Sequence, residues 1–231
     1  PYQIDLSIPE PLCRNKFKKE YLSDSLDEDD KEKLLNLINN SDFGFPNPPK
    51  IGKKNIQMAG CVRWAGASVD TEKNVLHVSV DQFPYISTII ENKNFKGKYT
   101  HKWEYFVNKK NNPGIKPPWG ANVALDLNLG KIKWKVPFGN FDELKNIYNY
   151  NTGTTNRSGV TASRGNLIFA SGTKDNKFRV FDSNNGDELW SYTMSKAGSA
   201  PPTVYEINGK QFIVVPAFEN GGKEIYSFTL K

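Results

Sequence analysis

The side chains of this sequence that could do chemistry are few and scattered. Cys13 and Cys61 lie 48 positions apart with neither a Cys-x-x-Cys pair nor a Cys/His ligand spacing. That pattern argues against a structural zinc site and leaves open one disulfide or two separate thiols. His77 alternates within an apolar run and His101 sits in a lysine-rich stretch; neither has a partner at catalytic spacing, so neither is taken as a ligand or a base. Between Lys93 and Lys110, the cations Lys93, Lys96, Lys98, Lys102, Lys109 and Lys110 are interleaved with Phe95, Tyr99, Trp103, Tyr105 and Phe106. Such interleaving can bind single-stranded nucleic acid or a membrane surface. The preferred reading is a solvated insertion that covers the adjoining sheet and packs its rings inward.

Whole-chain properties narrow the classes. A net charge of +6 on 231 residues invites a polyanion partner. However, lysine supplies 26 of the 31 basic residues, whereas base and phosphate recognition lean on arginine, so no nucleic-acid partner is expected. Apolar residues make up 37%, and no run of about 18 of them exists to span a bilayer.

These side chains need elements to position them. Residues 1–50 read as a helical or irregular arm packed on a larger body. Within it, Asp27 to Asn40 forms a helix: Asp27, Glu28, Asp29 and Asp30 lie at its positive end, and Leu34, Leu35, Leu37 and Ile38 recur three and four apart. Residues 51–231 carry short strands and an internal repeat. Asn122-Val-Ala-Leu-Asp126-Leu-Asn-Leu-Gly130-Lys-Ile-Lys-Trp134 returns as Phe178-Arg-Val-Phe-Asp182-Ser-Asn-Asn-Gly186-Asp-Glu-Leu-Trp190, with Asp, Gly and Trp all displaced by 56 positions. In each copy an apolar strand ends at an Asp that can bond the turn backbone, Gly takes the left-handed position, and the chain reverses into a strand bearing Trp.

Around the second copy, Gly159–Ser163, Asn166–Gly172, Lys177–Asp182 and Glu188–Met194 give four antiparallel strands, the content of one β-propeller blade. Ala67–Asp70, Val75–Asp81, Val123–Asp126 and Ile132–Val136 give the preceding blade, interrupted by a long insertion at 84–120. Thr203–Ile207, Gln211–Pro216 and Glu224–Leu230 give a third, lacking its closing strand. About three blades cannot close a ring, so the expectation is a portion of a larger propeller whose remaining N-terminal blades are its first partner.

The repeat, with its terminal Trp, resembles the tryptophan-docking motif of pyrroloquinoline-quinone (PQQ) dehydrogenases. Similarity to the membrane-bound glucose dehydrogenase branch continues through Pro117 to Pro137, Asn151 to Asn156, Thr173 to Asp182 and Tyr205 to Val215. It also takes in the weaker stretches Phe43 to Pro49 and Val62 to Asp70. The resemblance implies the C-terminal part of an eight-bladed all-β propeller. It further implies PQQ near the axis, calcium or another divalent metal on the quinone, oxidation of a sugar or alcohol, ubiquinone as electron acceptor, and a periplasmic or periplasm-facing location on the inner membrane.

In that family the catalytic Asp and the metal ligands lie in earlier blades, so no catalytic or metal residue is assigned here, and the chain alone is expected not to turn over. Three places could reach the PQQ rim. Arg63-Trp64 could pair with a carboxylate and line the ring. Asn156-Arg157 precedes an inner strand, where relatives carry an aromatic or apolar residue and then Gly-Gly. Glu219, Asn220 and Gly221 lie in a shortened glycine loop. These departures sustain an alternative reading, a propeller that lost its cofactor and serves as an envelope scaffold or binding module.

Overall fold

The computed structural model describes residues 10–44, 47–58, 61–219 and 221–229. Helix α1 (Glu28–Asn39) is followed by β1 (Asp42–Phe43), β2 (Lys54–Met58), β3 (Val62–Asp70), β4 (Val75–Asp81), β5 (Pro84–Glu91) and β6 (Tyr99–Tyr105). Then come β7 (Gly120–Asp126), β8 (Lys131–Pro137), β9 (Val160–Ser163), β10 (Leu167–Ala170), β11 (Lys177–Asp182) and β12 (Glu188–Thr193). The last three are β13 (Thr203–Ile207), β14 (Lys210–Glu219) and β15 (Gly222–Thr229). They assemble as β3-β4-β7-β8, β9-β10-β11-β12 and β13-β14-β15, with a further sheet β1-β2-β5-β6. The first three are propeller blades: each is antiparallel in chain order, and β9, the first strand of its blade, packs between β3 and β13.

The repeat works as a docking device between blades. In the first copy Asp126 Oδ1 accepts the backbone N–H groups of Asn128 and Leu129 at 2.9 and 3.0 Å. In the second, Asp182 Oδ1 accepts from Asn184 N at 2.7 Å. Trp134 on β8 then reaches into the next blade, where its indole N–H donates to the Ser183 carbonyl at 2.9 Å. A Cβ on Gly186, at φ +82°, would lie 2.8 Å from the Trp134 ring, so only glycine admits the indole this closely. Apolar layers of Phe138, Val160, Ile168 and Phe181, and of Phe169, Phe178, Met194 and Val215, fill the spaces on either side of the middle blade.

The segment 84–120, expected as a long loop, is largely ordered. It contributes β5 and β6, which leave the first blade between β4 and β7 and pair with β2 to build the fourth sheet. The expectation that its rings pack inward holds for Phe106, which is fully buried. It fails for Phe95, Trp103 and Tyr105, which are 56, 57 and 59% exposed. The physical reason is that Phe95 lies in the turn between β5 and β6, while Trp103 and Tyr105 lie on the edge strand β6, on the face of the sheet turned away from the core of Ile56 and Ile86.

The arm locks this sheet to the blades. Asp27 caps α1 by accepting from Asp30 N at 2.9 Å. Leu34 and Ile38 join Phe17, Ile56, Ile86, Phe106, Ile115 and Trp119 in one core. Arg14 donates to the carbonyls of Lys116 and Pro117 at 2.8 and 2.9 Å. Cys13 and Cys61, left open by their spacing, form a disulfide that packs on Val78, Val80 and Val123 of the first blade. Closing a 48-residue separation removes unfolded-chain entropy worth about 4 kcal/mol.

Candidate functional site

The segment between β8 and β9 runs across one end of the blades with Thr152, Thr154, Asn156 and Ser158 all buried. A buried polar stretch calls for hydrogen bonds, and each of these four residues makes them, although Asn156 Oδ1 is left without a partner. Thr154 N donates to the Phe138 carbonyl at 2.8 Å. Asn156 gives both its backbone N–H and its side-chain amide to Asp81 Oδ1, at 2.9 and 2.7 Å. Ser158 Oγ donates to the Ala200 carbonyl at 2.6 Å. Three loops therefore converge: the end of β4, the approach to β9 and the approach to β13.

The turn between β10 and β11 completes the frame. A Cβ on Gly172 would lie 2.6 Å from Ser158, which makes glycine the residue that lets the two loops touch. Just beyond it, Arg179 pairs with Asp175 at 2.5 Å and with Glu188 at 2.9 Å. Asp175 Oδ1 accepts from Thr173 Oγ1 at 2.7 Å, and its Oδ2 accepts from Asn140 N at 2.9 Å. Burial pushes the Asp175 carboxyl upward, but the guanidinium and the hydrogen bonds outweigh it and hold it below its ordinary value.

Above this frame opens a cavity of about 480 Å³. Phe83, Tyr105 and Phe141 supply aromatic surface, Thr155 supplies a hydroxyl, and Arg157 and Lys174 supply cations. The Lys174 ammonium lies 4.3 Å from the Phe141 ring centroid and pairs with Glu143. Burial raises the Glu143 carboxyl and the Lys174 ammonium more than reverses it, so the acid stays below its usual range. Arg157 is exposed and enters no ion pair among the described residues. Chemically, the cavity suits a planar, anionic, aromatic group: rings for its faces, a cation for its charge.

Of the residues singled out in the sequence, Arg157 lines this cavity. Its neighbour Asn156 is turned inward to Asp81, where it fixes the loop. Trp64 stands on β3, is 82% exposed and does not line the cavity. Gly221 lies in the β14–β15 turn at φ +83°, also away from it. The side chains of Arg63 and Glu219, and the whole of Asn220, lie outside the described residues. Phe83, Tyr105, Phe141 and Lys174 were not anticipated, nor was the Asp81–Asn156 pair. Only the Asp175-x-x-x-Arg179 spacing carried a readable signal, a carboxylate and a guanidinium on either side of a turn.

Comparison with known proteins bears on all of this. The family model for the β-propeller domain of PQQ-dependent glucose, ethanol and alcohol dehydrogenases matches residues 24–213. The quinoprotein glucose dehydrogenase of Escherichia coli (strain K12) is 28% identical over 189 residues, covering 70% of this chain and 24% of that protein. Quinoprotein glucose dehydrogenase A of Acinetobacter calcoaceticus is 28% identical over 184 residues, covering 70% and 23%. The chain thus spans about a quarter of the length of these relatives. Among solved structures, the quinohemoprotein alcohol dehydrogenase of Comamonas testosteroni superposes with a TM-score of 0.55 at 15% identity, over 77% of this chain and 28% of that one; this likeness concerns the fold.

Proposed function

The chain belongs to the family of PQQ-dependent glucose, ethanol and alcohol dehydrogenases, within its β-propeller domain, and from that premise we propose that it supplies the cofactor rim of such an enzyme. The observation that carries the reading is the cavity, where Arg157 stands without a partner among the described residues beside the rings of Phe83, Tyr105 and Phe141. Arg157 would hold a PQQ carboxylate and the rings would exclude water from its plane. When bound, PQQ accepts the hydride of a sugar or alcohol carbon and passes electrons on to a quinone. The task of this chain is to orient and polarise: Asp81, Asn156 and Gly172 keep the Arg157 loop fixed against its neighbours. The proton-accepting base and the ligands of calcium, or of another divalent metal, are assigned to parts of the enzyme outside this chain. The Cys13–Cys61 disulfide favours an oxidising compartment, in keeping with a periplasm-facing enzyme.

The test is a titration of the full-length protein with PQQ in the presence of calcium, followed by assay on aldoses and alcohols with a ubiquinone analogue. Saturable binding with turnover is expected. Arg157→Ala should weaken PQQ about tenfold or more, the size of a lost charge-assisted pair, with no change in melting temperature. An unaltered dissociation constant would remove Arg157 from the rim. The turning of Asn156 toward Asp81 instead of the cavity favours the second reading, a propeller without cofactor, and failure of the full-length protein to bind PQQ at all would establish it.

A further inference from the structure

The β5–β6 hairpin has no part in the site just described except at its base, where Tyr105 lines the cavity. Its far end is a built turn. Asn92 N donates to the Lys98 carbonyl at 2.8 Å, Lys98 N to the Phe95 carbonyl at 2.8 Å, and Phe95 N to the Asn92 carbonyl at 3.1 Å. The Asn92 side chain also accepts from Asn94 N at 3.0 Å. Phe95 sits at the tip with its ring over Gly97, where a Cβ would lie 2.7 Å from it, and is 56% exposed. Around it Lys93, Lys96 and Lys98 are all exposed, and no acid among the described residues lies within ion-pair distance of them. Glu91 is the one carboxylate in the hairpin's last turn.

Behind the tip the ring types change. Ile90 and Tyr99 are part-exposed at the strand ends, and Trp103 follows four residues further along β6, about 13 Å back at the usual strand rise. Here the rings interlock edge to face: Trp103 meets Tyr85 at 80° and His101 at 66°, with centroids 5.8 and 4.1 Å apart. These contacts fix Trp103 in place on β6 with 57% of its surface exposed. An apolar tip, a collar of lysines and then amphipathic Tyr and Trp is the order of groups across a lipid interface, from acyl chains through phosphates to water.

We propose that the β5–β6 hairpin is a membrane-docking finger, which seats Phe95 among the acyl chains of an anionic bilayer and places Lys93, Lys96 and Lys98 on lipid phosphates. It requires no PQQ, so its failure and that of the cofactor reading are separable.

The test is sedimentation of the full-length protein with vesicles of phosphatidylcholine alone or mixed with phosphatidylglycerol. Where the protein carries an upstream anchor, the form used is the full-length protein with that anchor removed and all its blades retained. Binding is expected only on the phosphatidylglycerol mixture, weakening as salt rises. Each lysine of the collar is expected to contribute about fivefold, so the K93Q/K96Q/K98Q variant should bind about 100-fold more weakly. Phe95→Ser should lose about tenfold, and a K33Q/K131Q/K133Q control of equal charge change should lose far less. All of these positions are exposed, so the variants are expected to fold, as circular dichroism will check. Absence of binding, equal loss in the control, indifference to Phe95→Ser, or tighter binding of a single-stranded oligonucleotide that depends on the same residues would each overturn the proposal.

Discussion

Trp134 and Trp190 end two copies of one hairpin, yet Trp134 is 9% exposed and Trp190 is 46% exposed. The copies agree in register down to the irregularity after Ala124 and after Val180. Across the sheets, the row His77, Ala124, Trp134 corresponds to Phe169, Val180, Trp190. What differs is the receptor. Trp134 has the Ser183 carbonyl and Gly186 of the following blade. Trp190 rests on Phe178, Tyr192 and Phe228, and among the described residues no turn hydrogen-bonds its indole as Ser183 does that of Trp134. The turn corresponding to Ser183–Gly186 would follow β15, past the described residues. The repeat therefore encodes a hairpin and a projecting indole, and the neighbouring blade decides whether the indole is buried.

The sharpest way to break this comparison is to truncate both indoles. Trp134→Ala leaves a void between two blades and an unpaired Ser183 carbonyl, and should cost about 3–5 kcal/mol. Trp190→Ala removes a half-solvated ring and should cost about 1–2 kcal/mol. Urea midpoints of the two variants measure the gap; equal losses would mean that blade docking contributes nothing beyond the hairpin itself.

How much of this could be read beforehand follows the same division between local and distant pairing. The Asp-to-Trp repeat lies within 13 consecutive residues, so its turn chemistry and strand limits were legible, and Val75–Asp81, Lys177–Asp182 and Thr203–Ile207 were placed at their observed bounds. β5 and β6 were not, because neither shows a clean two-residue period. β5 buries Ser87 and Thr88 on both faces, and β6 exposes most of both faces. The site was least legible: Asp81 and Asn156 are 75 positions apart, and Lys174 and Glu143 are 31 apart. Nothing in their local sequence announces such partners.

The row through the first blade contains a further contrast, titratable against inert. Burial beside Trp134 lowers the His77 imidazole from 6.5 to about 4, while Phe169 holds the corresponding place in the second blade. The unfolded chain therefore takes up the His77 proton first as pH falls. Its contribution to stability is complete above pH 6.5, declines as pH drops toward 4 and is absent below. Between pH 7.5 and 4.5 this amounts to about 2–3 kcal/mol. The stability difference between the native chain and His77→Leu should change by this amount across that range, as denaturation at each pH will show; parallel curves would show that His77 is not held neutral.

The smallest effect separates the turn from the dock. Gly130 and Gly186 hold the same place in the two copies, with φ of +64° and +82°. A Cβ at Gly130 meets nothing within 4 Å, whereas at Gly186 it would meet Trp134 at 2.8 Å and Val136 at 3.0 Å. Alanine at either site incurs the left-handed backbone cost, about 1 kcal/mol. At Gly186 it must also push back the indole, for about 1–2 kcal/mol more. That excess should vanish in the Trp134→Ala background, because the atoms in its way are gone, while the Gly130→Ala cost should not change. A double-mutant cycle on urea midpoints measures the coupling. If Gly186→Ala costs the same with and without Trp134, the glycine of this repeat serves its turn alone, and the indole is held by the Ser183 hydrogen bond and the surrounding apolar contacts.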